Sequence, residues 1–227
     1  MQDSAYSDAI HHSTVLAGVI PFIVNDMLKA PDMTDDQLVT VVQFISNTLF
    51  SQSWQIYALN AFVDVGGVEV LAKLLAEAAQ VTNPVSSAIR RAQLWQTLYS
   101  LATPQDEAVK KIILYNTDYD VISLAIVEFR TPIPHPGEDE EKQEIRDKTI
   151  KAQTNAICLL QCLANAEGDL GKQSKSKFTE AGVVEALAVL APDDQDRNVK
   201  LLKKLKKKFL KDLGMYVIPP IAFTFYD

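Results

Sequence analysis

Apolar residues recur through this chain three and four positions apart, the spacing that lines one face of an α-helix. Leu38, Val41, Val42, Ile45 and Leu49 predict a helix over 35–50. Ile89, Ala92, Leu94, Leu98 and Leu101 predict a second over 84–102. Ile145, Ile150, Ala156, Ile157, Leu160 and Leu163 predict a third over 141–166, and Leu202, Leu205, Phe209 and Leu213 a fourth over 195–213. Each long helix follows a shorter apolar one that opens on a small or turn-forming residue: Gly18, Gly67, Asp120 and Gly182, 49 to 62 residues apart. Gly tolerates positive φ and Asp caps a helix start, so both suit such a junction. Linking helices are expected over 54–63, 105–116 and 172–181, with residues 168–171 as a polar turn.

The phrase Phe62-Val-Asp-Val-Gly66-Gly67-Val-Glu-Val-Leu resembles the junction of an armadillo repeat, where a short helix turns through Gly into an apolar second helix. Phe178-Thr-Glu-Ala-Gly182-Val-Val-Glu-Ala-Leu repeats it, and Ser100-Leu-Ala and Cys162-Leu-Ala resemble the end of that family's third helix. The expected fold is therefore all-α, an armadillo/HEAT-like right-handed superhelical solenoid of about four irregular repeats over 1–214. The spacing exceeds the ~40–47 residues usual for such repeats. One local cause is segment 131–141, where Pro132, Pro134 and Pro136 precede an acidic run and exclude helix. It reads as an exposed loop, either a tolerated insertion or a docking element built on Pro134 and Pro136.

The resemblance implies a concave surface lined by the third helices. Members that hold extended peptides place an Asn near the end of that helix and a Trp one turn earlier. The matching places here hold Asn47, Ser100 and Cys162, and Gln43, Gln96 and Cys158. Only Asn47 matches, so the peptide-clamping ladder, and nuclear-import cargo binding with it, is not expected. Gln43, Asn47, Gln96 and Ser100 are either a polar groove or merely solvent-facing.

Charge changes the picture at one end. The chain carries a formal charge of -7, which argues against duplex binding driven by phosphate neutralisation. Yet Lys203, Lys204, Lys206, Lys207, Lys208 and Lys211 crowd one helix around its apolar stripe. That helix is either a well-solvated terminal cap or a contact for an acidic protein surface. Nucleic acid is the weaker partner, because no Arg or aromatic residue interleaves the lysines. Lying on a membrane surface would withdraw the apolar stripe from the core. Beyond Gly214 comes an extended apolar tail, 215–227, with Tyr216, Ile218, Ile221, Phe223, Phe225 and Tyr226 around a Pro pair that excludes helix. So much apolar surface is expected to cover its own chain or a neighbouring subunit.

Catalytic chemistry finds little support in the sequence. Cys158 and Cys162 fall on one helical face as small buried hydrophobes, with no activating His in view. His11 and His12 point apart, and His135 lies in the proline loop. Asp35, Asp36, Asp193 and Asp194 open helices, where the dipole favours acids. No catalytic, cofactor or metal site is expected. Thiols so placed fit a reducing, intracellular setting, cytoplasmic or cytoskeletal, although a protein stripped of a presequence would read the same. No apolar run reaches the ~18 residues of a membrane span. The function expected is a non-catalytic protein–protein interaction scaffold, a structural or assembly subunit of a larger complex. By analogy with other repeat proteins, a cytoskeletal, ciliary or organellar assembly would suit it. The alternative is a reversible adaptor that binds an acidic partner through the lysine helix, and an enzyme is the third reading.

Overall fold

A computed structural model describes residues 18–30, 33–50, 55–103, 106–115, 118–136, 139–189 and 196–214. All regular secondary structure among them is helical. A short helix from Gly18 runs into a π-helical turn, Ile23–Met27. Ten α-helices follow: α1 Asp35–Phe50, α2 Gln55–Asp64, α3 Gly67–Ala78, α4 Pro84–Ala102, α5 Glu107–Tyr115, α6 Val121–Arg130, α7 Glu140–Ala164, α8 Gly168–Glu180, α9 Val183–Ala188 and α10 Arg197–Asp212.

The long helices pack in succession, α1 on α4, α4 on α7 and α7 on α10, with α4 and α7 in the most extensive contact. The short apolar helices form a second succession, α3 on α6 and α6 on α9, while α5 touches α8. Their inward faces merge into one core that holds Val42, Phe62, Trp95, Leu98, Phe129, Leu160, Phe178 and Phe209. Burying large apolar side chains is the main stabilising term, and Trp95, Phe62 and Phe178 are fully covered.

The helix starts are specified locally. Asn83 caps α4 by accepting from Ser86 N at 3.0 Å, with Pro84 at the first helical position. Asp120 caps α6 by accepting from Ile122 N and Ser123 N. Gly66 and Gly182 lie immediately before α3 and α9 in left-handed backbone, at φ 76° and 83°. The repeated phrase is thus a repeated conformation, with Phe62 and Phe178 buried four residues ahead of each glycine. The junction falls one residue earlier than the Gly67 expected. Gly67 instead lies inside the first turn, where a Cβ would come within 2.5 Å of the Phe62 ring.

A second correction concerns residues 168–171, which open α8 instead of forming a turn. Gly171 sits so close to the preceding backbone that a Cβ there would lie 2.3 Å from the Ala166 carbonyl oxygen. Close approach, not turn formation, explains this glycine. The proline loop is also less free than expected. His135 and Pro136 are exposed, but Ile133 packs against the core and the Pro134 carbonyl accepts from Arg146 Nη1 at 2.5 Å. Arg146 is fully buried, and its Nη2 lies 3.9 Å from Oδ2 of Asp196, the residue that caps α10. Residues 137 and 138 of that loop, and the whole apolar tail with Tyr216, Ile218, Ile221, Phe223, Phe225 and Tyr226, lie outside the described residues.

Candidate functional site

The lysine helix α10 is held by its apolar stripe. Val199, Leu202, Phe209 and Leu210 are buried, and the Phe209 ring meets Phe178 of α8 at 6.1 Å between centroids. Leu205 and Leu213 pack at the edge of the core. Asp196 caps the helix by accepting from Asn198 N at 2.6 Å. Lys204, Lys207, Lys208 and Lys211 are exposed, whereas Lys203 and Lys206 are half-buried. Lys206 donates to the Ala188 carbonyl at 3.3 Å. Burial, with Lys203 and Lys207 beside it, pulls the Lys206 ammonium below its ordinary pKa. Crowded ammonium groups of this kind sum to a positive field that favours an anionic neighbour.

Next to this helix lies an open cleft of about 310 Å³, where the ends of α4 and α7 meet α5 and α10. Tyr99 comes from the end of α4 and Thr103 follows it, Lys110 comes from α5, Cys158, Gln161 and Cys162 from α7, Asn165 from the residue after it, and Lys208 from α10. The thiols therefore line an accessible depression and are half-exposed, not enclosed as expected. Their short side chains, between longer neighbours, leave the hollow. Burial pushes the Cys158 thiol up, with Cys162 adding to the effect and Lys208 opposing it. Burial likewise raises Cys162, against the pull of Lys110. Burial and the two neighbouring sulfurs raise the Tyr99 phenol. No carboxylate is among the lining residues, and of these Gln161 donates from Nε2 to Asp212 Oδ2 at 2.8 Å.

The four polar residues expected on a concave face differ in exposure. Gln43 and Asn47 are exposed on α1, Gln96 is half-buried, and Ser100 is 3% exposed with its hydroxyl donated to the Gln96 carbonyl at 2.8 Å. Polar contacts that do join α1 to α4 are a 3.1 Å hydrogen bond between the hydroxyls of Ser46 and Thr97 and, at the start of α1, an ion pair of Arg90 with Asp35. Burial works to raise the Asp35 carboxyl, but hydrogen bonds from Ser86 and Arg90 and the Arg90 charge hold it below the usual range.

A second charged constellation lies deeper. Glu128 of α6 is 3% exposed, and Oε1 accepts from Arg91 Nη1 at 2.5 Å while Oε2 accepts from Trp95 Nε1 at 3.1 Å. Gln153 of α7 donates to the carbonyls of Glu128 and Thr131 at 3.0 and 2.8 Å, tying α7 to the end of α6. Burial pushes the Glu128 carboxyl up, against the pull of Arg91 and the Trp95 hydrogen bond. Each oxygen accepts one hydrogen bond, so Glu128 joins α6 to α4 where it borders a cleft of about 160 Å³. Among the described residues no three His, Cys, Asp or Glu side chains are grouped to hold a metal ion, and no helix is long and apolar enough to cross a membrane.

Sequence reasoning missed Lys110 and the Arg91–Glu128 pair. A signal was present in each case, a charge standing on an apolar helical stripe. Lys110 lies three and four residues before Ile113 and Leu114, and Glu128 lies four after Leu124. Comparison of the chain with family models, with curated proteins and with solved structures returned no match in any of the three.

Proposed function

We propose that this chain is an armadillo/HEAT-like solenoid of about four irregular repeats that works as a non-catalytic protein-interaction scaffold, a structural or assembly subunit of a larger complex. The observation that carries the reading is the double succession of helices, α1–α4–α7–α10 beside α3–α6–α9, each in contact with its neighbours in line. Stacking of this kind buries the helices against one another and leaves one long face for a partner. The returning Gly66 and Gly182 junctions support a repeated unit.

A second reading is favoured by α10. Its exposed lysines Lys204, Lys207, Lys208 and Lys211 carry no salt bridge among the described residues, which suits a reversible adaptor for an acidic protein. The two readings separate by salt, because exposed charge contacts are screened and buried apolar ones are not. The test is native capture of the tagged chain, washed at low and high salt, with and without residues 215–227. A stoichiometric partner that survives high salt and is lost with the tail establishes the structural subunit. A partner released by salt regardless of the tail establishes the adaptor. Recovery of the chain alone under both washes sinks the scaffold reading.

A further inference from the structure

We propose that the cleft between α4, α5, α7 and α10 receives glutamate or aspartate side chains of an acidic partner segment, with Lys110 and Lys208 as its charged contacts. The inference rests on the scaffold reading and adds the chemistry of what is held. Lys110 is the observation that drives it. It is only 8% exposed, yet its ammonium makes no hydrogen bond or ion pair among the described residues. A lysine carried this far into a protein ordinarily has a counter-charge, since an unpaired buried cation is strongly unfavourable. Lys110 lines the cleft, and its charge acts on the Cys162 sulfur there.

Lys208 enters the same cleft from α10 and acts on Cys158. Two ammonium groups thus converge from separate elements on a hollow with no lining carboxylate. The thiols do not offset them, because burial keeps both protonated at neutral pH. Asp212 stands behind the lining, where its carboxylate accepts from Gln161 Nε2 and is not itself part of the cleft wall. The cleft is open, which suits a segment of chain passing over it more than an enclosed small molecule. Its cations are lysines without an Arg fork. Each ammonium meets an anionic oxygen as a point charge with three donors, which a single carboxylate can satisfy. Sulfur and methyl groups of Cys158, Cys162 and Ala102 supply apolar walls for the methylene stem of a glutamate.

The test uses the full chain and a fluorescein-labelled peptide of alternating Glu and Ala, followed by anisotropy at low salt. Binding is expected, and the Gln counterpart of the peptide is expected not to bind. Lys110→Gln and Lys208→Gln should each weaken binding about tenfold, as loss of one charge-assisted contact does. Lys200→Gln removes the same charge from α10 outside the cleft and should leave binding unchanged. Lys208 is exposed, so its variant keeps the test informative if Lys110→Gln fails to fold. A second readout is built in, because the two cysteines of the chain both line the cleft. Thiol modification at about pH 8.5 should slow several-fold when the Glu peptide is present.

Equal binding by all three variants, or binding that leaves the thiols unprotected, overturns the proposal. So does binding to phosphatidylserine vesicles with none to the peptide. Any of these results leaves the scaffold reading standing, since that reading depends on capture of a partner. Capture failing while the Glu peptide still protects the thiols would sink the scaffold and keep the cleft.

Discussion

Helix α7 is held on two sides, and the two sides are built differently. Against α4 and the end of α6 the strong charges beside it are answered, Arg91 by Glu128 and Glu128 also by Trp95, while its own Gln153 donates to two backbone carbonyls. Towards α10 its polar ties are Arg146 to the capping Asp196 and Gln161 to Asp212, the second beside a cleft whose lysines have no such answer. The lesson is that charge within a helical stack has two uses. Paired and buried, it fixes how helices sit. Unpaired at the edge of the core, it waits for a partner.

The sharpest way to break this contrast is Glu128→Gln. It leaves the Arg91 guanidinium buried without a counter-charge and should lower stability by about 3 kcal/mol. Urea denaturation should show an earlier midpoint with an unchanged slope. Replacing both partners, Arg91→Met with Glu128→Leu, should recover stability to within about 1 kcal/mol of the parent. Recovery would show that the pair gives register more than stability, and a loss as large as the single variant's would deny the distinction.

A smaller effect is expected at the other seam. Gln161→Ala removes the half-buried hydrogen bond to Asp212 and should cost about 1 kcal/mol. Hydrogen exchange should speed up in the amides of α10 and not in those of α4. A uniform increase would mean that the two seams open together.

The least perturbing prediction concerns reactivity alone. Because burial raises both thiols, the pH–rate profile of alkylation should be centred above the ~8.5 of a free cysteine. Below that range the thiols are protonated and should react slowly. Lys208→Gln removes a positive charge that stabilises the Cys158 thiolate, so it should move the profile higher still.

The long helices were legible because each carries an apolar stripe that only a helix can bury. The expected 35–50 and 84–102 coincide with α1 and α4, and the ends of α7 and α10 fall within two residues of expectation. Caps were legible for the same local reason, as Asp120 shows. Which charges pair inside was harder to read. An apolar stripe marks Glu128 as inward-facing and Arg130 of the same helix stays exposed, but the partnership with Arg91 follows only from the approach of α4 to α6. The glycines were ambiguous in the same way. Gly66 and Gly67 are adjacent, and the choice of which bends and which admits a neighbour belongs to the Phe62 ring. The cleft was hidden for a further reason, because its residues lie on four different elements with no common period.

Arg146 has a consequence for how forces would travel through the molecule. One guanidinium touches both the Pro134 carbonyl and the residue that caps α10. The proline segment and the lysine helix, more than sixty positions apart along the chain, are therefore tethered to a single pin. The segment that exposes His135 and Pro136 and the root of the lysine helix thus meet at one buried side chain. In this protein the two outward-facing elements are not separate handles but two ends of one lever.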